Sequence, residues 1–373
     1  MVLAGPHESR EHGVPQKRRS MYPELFEIPV LHITVKSYGL MMVIGFLAAV
    51  AVIRRLSRPF TPDPQLITNA ALYALIGGVA GARIHYVVHY REQFRGNWLE
   101  AFAIWRGGLE LLGGVLVAIL IVVTYMCVHQ FVLKRHKLAI RRYLDVLAIG
   151  LMLALVPGRI GCFLNGCCYG KPTDLPWGVR FPYNSLAYNS QINADPKRHR
   201  AKPYLPLPRE EYSAFVGDDG KWYPKPFETL TVEQQYEVTK GKYRALPVHP
   251  TQIYSSLAGG LCCLVLYLFW RRAQRAAADG GGKKLFGCPG QTFALMFILY
   301  GFVRFLIEFL RDDNPFEYGP WAMRVVYIIY RGGTIAQNID IYLIIFGVVL
   351  MVLLQLAKPA EATQTHQGRR PGA

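Results

Sequence analysis

The sequence predicts an all-α integral membrane protein: a bundle of seven transmembrane helices with a long outer-side insertion and an N-terminal interfacial arm. Three observations carry this. Of 373 residues, 52% are hydrophobic and mean hydropathy is positive, which is more apolar than a water-soluble chain of this length needs to be. Apolar stretches of about 17 to 25 residues, the length that crosses a bilayer with every backbone group bonded internally, recur seven times. The net charge of +17 is spread in short runs between those stretches. It therefore belongs to loops at a lipid surface, and no nucleic acid is expected as a partner.

In chain order, residues 1–37 form a basic tail and an arm. In YPELFEIPVLHI (22–33) apolar and polar residues alternate, as suits the membrane interface. Arg10, Lys17, Arg18 and Arg19 are followed by prolines and charges without a small-residue cleavage site, so the first span itself is expected to direct insertion. Within residues 38–170 the spans are expected at 38–55, 66–88, 108–131 and 143–165. Within residues 250–357 they are expected at 250–270, 290–310 and 339–357, the first and last of the seven being short. Alternate short loops hold thirteen Lys and Arg, from Arg54 and Arg55 through Arg141 and Arg142 to Arg271 and Arg272. Such loops face the cytoplasm, which puts the amino terminus outside and the tail 358–373 inside a bacterial cytoplasmic membrane. The basic amino-terminal tail argues the other way, and three loops outvote it. Residues 171–249 contain ten prolines among interleaved aromatics such as Trp177, Tyr183, Tyr188 and Trp222, the composition of a folded outer cap rather than a linker.

Chemistry concentrates where charge enters the apolar stretches. The fourth span ends in PGRIGCFLNGCCYGKP, with four glycines around Arg159, Asn165 and three cysteines; irregular backbone at this depth belongs in protein or along a wet cavity. The sixth span places Tyr300, Arg304 and Glu308 at i, i+4 and i+8, one helical face. The second holds Arg83, His85 and His89. Three intramembrane arginines cost about 10 kcal/mol on additive insertion scales. A planar guanidinium binds phosphate oxygens in a fork, so the cluster suits an anionic lipid headgroup. Structural readings stand beside this one: Arg159 snorkelling, Arg304 and Glu308 neutralising each other, and the cysteines acting as small hydrophobes.

Taken in order, YGLM (38–41), GARIHYV (81–87), IWRGGLELLGG (104–114), GRIGCFLNGCCYG (158–170), WGVRFP (177–182), HPTQIY (249–254) and YGFVRFLIEFLR (300–311) resemble the prolipoprotein diacylglyceryl transferase family across all seven spans. The resemblance implies transfer of a diacylglyceryl group from phosphatidylglycerol to the lipobox cysteine of a preprolipoprotein, forming a thioether and releasing glycerol phosphate. It implies no cofactor and no metal. Matching positions are Tyr38, Arg83, Arg159, Asn165, Gly170, His249, Gln252, Tyr300, Arg304 and Glu308. Arg159 and Arg304 are expected to bind the phosphodiester, Tyr38 and Tyr300 to orient headgroup or thiol, and Arg83 to be a weaker member of the clamp.

The chain departs from the family at the proton acceptor, because the position before Gly113 that is often His is Leu112. His249 and His85, then Glu308, are the remaining base candidates. Cys162, Cys167 and Ser255 stand where the family often has Asn, Glu and Glu. Two other classes remain open on the sequence: a membrane thiol-redox or metal-binding protein using Cys162, Cys167 and Cys168, and an anion transporter. The first lacks paired C-x-x-C spacing, the second a visible inverted repeat.

Overall fold

The computed structural model describes residues 2–3, 24–28, 33–61, 63–94, 98–102, 108–132, 139–217, 220–278, 287–314, 316 and 329–357. Ile104–Gly107 of the IWRGG motif, the side chain of Leu112, most of the amino-terminal tail and the tail 358–373 lie outside the described residues. Among the described residues, seven helices are long and apolar enough to cross a membrane. They are α1 (Ser37–Ser57), α2 (Pro64–His89), α3 (Leu111–Cys127), α4 (Ile140–Asn165), α8 (Thr251–Ala278), α9 (Gln291–Glu308) and α10 (Ile335–Leu356). All seven expected spans are present. The first and last, expected short, have 21 and 22 residues.

The helix ends explain the differences. Thr334 and Gln337 form a capping box that starts α10 well before the apolar run does. Asp63 accepts the Gln65 amide at 2.8 Å, with Pro64 in the first turn, to start α2. Gly166 in the left-handed region, φ 70°, closes α4. The arm at 22–33 contributes a strand, β2 (Glu24–Ile28), which pairs antiparallel with β3 (Ile33–Lys36) directly before α1.

α4 is the central helix. Half of its apolar window is buried, against 11% for α1 and α10 and none for α3, and it packs on α1, α8 and α9. Close approach comes from missing side chains. A Cβ on Gly45 of α1 would lie 2.7 Å from the Ala154 carbonyl oxygen of α4. In the α2–α3 pair, Cβ atoms on Gly81 and Gly114 would lie 2.8 Å from the Gly113 and Gly78 carbonyl oxygens, the small-residue seam expected where lipid offers no hydrophobic drive to pack helices. α9 and α10 pair in the same way, through Gly301 and Gly347.

Residues 171–249 carry their own core. Short helices α5 (Leu186–Gln191), α6 (Arg209–Tyr212) and α7 (Val232–Thr239) and a hairpin of β5 (Ser213–Val216) and β6 (Trp222–Pro224) enclose Tyr183, Tyr188, Leu205, Tyr212 and Trp222. The unit is tied to the end of α9. Arg200 Nη1 donates to Asp312 Oδ2 at 2.8 Å, and Arg198 Nη2 to the Arg311 carbonyl at 2.8 Å. Burial raises Asp312 above the ordinary carboxylate value, against the pull of Arg200 and Arg198.

Candidate active site

Arg159 sits six residues before the end of α4, about 9 Å along the axis, and Arg304 four residues before the end of α9, about 6 Å. Both therefore lie in the half of the bilayer nearest the ends of α4 and α9. Both line one narrow crevice, partly open to the exterior, together with Leu155, Ser255, Gly259, Tyr300, Val303 and Ile307 of α4, α8 and α9. Arg159 is 9% exposed, and its Nη1 is sealed from solvent without a hydrogen-bond partner among the described residues. A buried cationic donor left unpaired is costly unless something else binds there.

Arg304 is differently placed. Its Nη1 donates to Glu308 Oε2 one turn on, as the structural reading expected. Glu308 is a hub: Oε1 accepts from Asn314 Nδ2 at 2.6 Å and from Thr334 Oγ1 at 3.0 Å, and Oε2 lies 3.6 Å from Arg311 Nε. With its side chain 0% exposed, this carboxylate joins the end of α9 to the start of α10 and sets the Arg304 fork. Arg311 itself is clasped by Asp313 through two bonds of 2.8 and 2.6 Å. Burial disfavours its charge, but Asp313, Cys168 and Glu308 outweigh burial and hold the guanidinium above its ordinary value.

The turn after α4 brings the remaining motifs together. Gly161 receives Tyr38 of α1, whose Cα would lie 3.3 Å from a Cβ there; Tyr38 is within electrostatic range of Arg159 and the three thiols. The Cys167 and Cys168 carbonyls accept from Gln252 Nε2 at 2.7 Å and Thr251 Oγ1 at 2.6 Å, at the start of α8. Gly170 is pressed between segments: a Cβ would lie 2.6 Å from the His249 carbonyl oxygen and 2.8 Å from that of Leu310. His249 Nδ1 is 3.4 Å from the Tyr254 hydroxyl, which accepts from Trp177 Nε1 at 2.7 Å. Burial, and then Lys171, hold His249 below the ordinary imidazole value. Asn165 is the last residue of α4, half-buried.

Arg83 and His85 do not line this crevice. Arg83 donates to the carbonyls of Ala101, Gly108 and Glu100 at 2.7, 3.0 and 2.6 Å, anchoring the connection between α2 and α3. His85 Nδ1 bonds Glu110 Oε2, and His89 Nδ1 bonds Glu110 Oε1 at 2.7 Å. The sequence reading missed Glu110, which is 3% exposed, because it ends a connection whose pairing with α2 no local pattern records. His85 packs against Gly113, where a Cβ would lie 2.9 Å from the imidazole Cγ.

The family model for prolipoprotein diacylglyceryl transferase matches residues 23–353. Among curated relatives, the phosphatidylglycerol–prolipoprotein diacylglyceryl transferase of Burkholderia cenocepacia (strain HI2424) is 28% identical over 339 residues, covering 88% of this chain and 94% of that protein. The like-named protein of Burkholderia multivorans (strain ATCC 17616 / 249) is 28% identical over 86% of this chain and 90% of its own length. That of Clostridium tetani (strain Massachusetts / E88) is 27% identical over 79% and 86%. With seven spans, a guanidinium-lined crevice near their ends and a family match across nearly the whole length, this chain belongs to the prolipoprotein diacylglyceryl transferase family.

Proposed function

We propose that this membrane transferase moves the diacylglyceryl group of phosphatidylglycerol onto the lipobox cysteine of preprolipoproteins, in a bacterial cytoplasmic membrane with its amino terminus and cap outside. The observation that carries the site assignment is Arg159: a buried guanidinium with a donor that has no partner among the described residues, lining the same crevice as Arg304 near the helix ends. A phosphodiester entering from the lipid headgroup layer would satisfy that donor, and Arg304, aimed by Glu308, supplies the second fork. As the acceptor sulfur attacks the glyceryl carbon, the C–O bond breaks and charge grows on the departing glycerol phosphate. Cations fixed in a dry site stabilise that charge most.

Tyr300 on the crevice wall and Tyr38 across Gly161 orient headgroup and thiol. Gly170, Gln252 and Asn165 shape the turn that follows Arg159. Arg83 acts at one remove, by anchoring the connection through which Glu110 reaches α2. Glu308 is a positioning residue, since both its oxygens are engaged. His249, beside Gly170 in that turn, is the base candidate, whereas His85 is bonded to Glu110 through Nδ1 and lies away from the crevice.

The test mixes purified protein with phosphatidylglycerol and a lipobox peptide, then reads peptide mass and released glycerol phosphate. A diacylglyceryl mass gain matched by glycerol phosphate, and absent with a Cys→Ser peptide, is expected; anion flux without mass gain would replace this reading by a transporter.

A further inference from the structure

Cys162, Cys167 and Cys168 are thiols in this structure and the transfer reading does not use them, yet the end of α4 brings two of them into register. From this geometry we infer that Cys162 and Cys167 form a disulfide that staples the carboxyl-terminal cap of α4, a modification acquired on the outer side of the membrane. The inference rests on the transfer reading for the outward orientation of this end of the bundle.

The register comes from the backbone. Gly166 is left-handed at φ 70°, the Cys167 amide donates to the Cys162 carbonyl at 3.2 Å, and the Gly166 amide donates to the Phe163 carbonyl at 3.1 Å. This is the Schellman motif, in which the two residues joined by the outer bond bring their side chains together, commonly as an apolar contact. Here both of those residues are cysteines. An amide–carbonyl bond of 3.2 Å keeps their Cα atoms within about 7 Å of each other, and a disulfide spans Cα atoms about 4.4–6.8 Å apart. The sulfurs lie within 4.8 Å of one another, and Cys167 Sγ is 3.6 Å from the Cys162 carbonyl oxygen. Side-chain rotation is enough to close the bond.

Cys168 is the sulfur left out. A bond to Cys167 would close a small strained ring around the planar peptide that joins them, and among the described residues no backbone bond pairs Cys168 with Cys162. Cys168 is also 2% exposed, whereas Cys167 is half-buried. Cys167 is therefore the thiol that an outside reagent meets first. Its thiolate attacks a disulfide of an extracytoplasmic thiol oxidant and releases one thiol; buried Cys162 then attacks the Cys167 sulfur and releases the second. The two cysteine protons end on the two released thiols, and the oxidant's disulfide is the species reduced. Such bonds persist outside the cytoplasmic membrane, where the surroundings are oxidising.

The bond would hold the platform of the site. Arg159 lies about one turn before Cys162 on the same helix, and the Cys167 carbonyl accepts from Gln252 Nε2 at 2.7 Å at the start of α8. Helix ends fray, and this one carries a wall of the crevice that a headgroup must enter. Closing its last turn covalently removes unfolded alternatives and keeps α4 and α8 in step.

The experiment uses the full-length protein in bacterial membranes. Cells are quenched in acid and their thiols alkylated before lysis, so that no bond forms afterwards, and the digested protein is mapped by mass. A peptide spanning the three cysteines is expected to be lighter by two hydrogen atoms than its reduced form and alkylated at Cys168 alone; cleavage after Phe163 should leave its halves joined. The bond should persist in Cys168→Ser and vanish in Cys162→Ser. Reductant should lower the unfolding temperature of the wild-type protein in detergent by several degrees, and should not move that of the variant carrying Cys162→Ser and Cys167→Ser. The phosphatidylglycerol assay runs in parallel. Alkylation of all three cysteines in the quenched cells overturns the inference, and oxidised glutathione added to the purified protein shows which premise failed. A bond between Cys162 and Cys167 formed only then places the thiols in the cytoplasm and overturns the orientation; no bond rejects the geometry and leaves the transfer reading standing. A bond from Cys168 to either neighbour overturns the pairing, and an unfolding temperature indifferent to reductant overturns the stapling. The expected bond in a protein that transfers no diacylglyceryl group keeps the staple and overturns the transfer reading.

Discussion

At the scale of single residues, Arg159 and His249 make opposite demands. Arg159 matters for the shape of its fork, because one buried nitrogen lacks a partner among the described residues. Arg159→Ala is therefore expected to lower the transfer rate by about 10²- to 10³-fold, the usual loss for one preorganised donor at a developing negative charge. Arg159→Lys should recover only part of this, since it restores charge without the bidentate geometry; peptide mass against time measures both. His249 matters for its proton. Burial and Lys171 hold it below the ordinary imidazole value of 6.5, so the folded protein keeps the ring neutral where an unfolded chain would begin to protonate it. The stability this contributes is fully present above pH 6.5 and is lost as pH falls through the lowered folded value. If His249 accepts the thiol proton, the rate falls on the acid side of pH 6.5 and His249→Gln, which cannot titrate, removes that limb; a limb unchanged in the variant assigns it to another group. Arg159 and Arg304 were legible in the sequence because a guanidinium in an apolar stretch is too costly to be incidental. The bonds of His85 and His89 to Glu110 were not, because they span 25 and 21 residues and depend on how α2 and α3 pack.

At the scale of elements, the end of α9 and the start of α10 form one polar joint inside an apolar bundle. Glu308 collects Arg304, Asn314 and Thr334 there, so removing it strands buried donors and a guanidinium together. Glu308→Ala is expected to destabilise the protein by about 3–5 kcal/mol, the cost of breaking a buried pair from one side. Glu308→Gln, whose amide oxygen can still accept from Asn314 and Thr334, should cost less. Thermal unfolding in detergent ranks the two, and equal losses would mean that charge alone holds the joint. The helices themselves were legible, since hydropathy over a bilayer's width depends on composition and little else. Their ends were less so, because Thr334 starts α10 through a capping box that uses polar residues before the apolar run. The C-x4-C-C spacing left the cysteines ambiguous for a related reason: residues 162 and 167 share no helical face, and the left-handed turn at Gly166 is what returns the chain and brings the sulfurs together.

At the scale of the whole molecule, the crevice can receive a headgroup and a secreted peptide only if the ends of α4 and α9 and the cap share the outer side of the membrane. Charge argues for that arrangement: Arg54 and Arg55 end α1, Arg141 and Arg142 begin α4, and Arg271 and Arg272 lie in the last turns of α8, all at the other end of the bundle. The cap offers a place to test it without disturbing the site. Gly220, at φ 73° in the turn between β5 and β6, has nothing within 4 Å of where a side chain would start, so a short epitope inserted there meets no packed neighbour. In intact spheroplasts an antibody should bind that epitope, whereas one fused to the carboxyl terminus should become accessible only after permeabilisation. The reverse pattern would put the guanidinium crevice on the cytoplasmic leaflet, out of reach of translocated lipobox cysteines, and would remove the transfer reading however well the residues align.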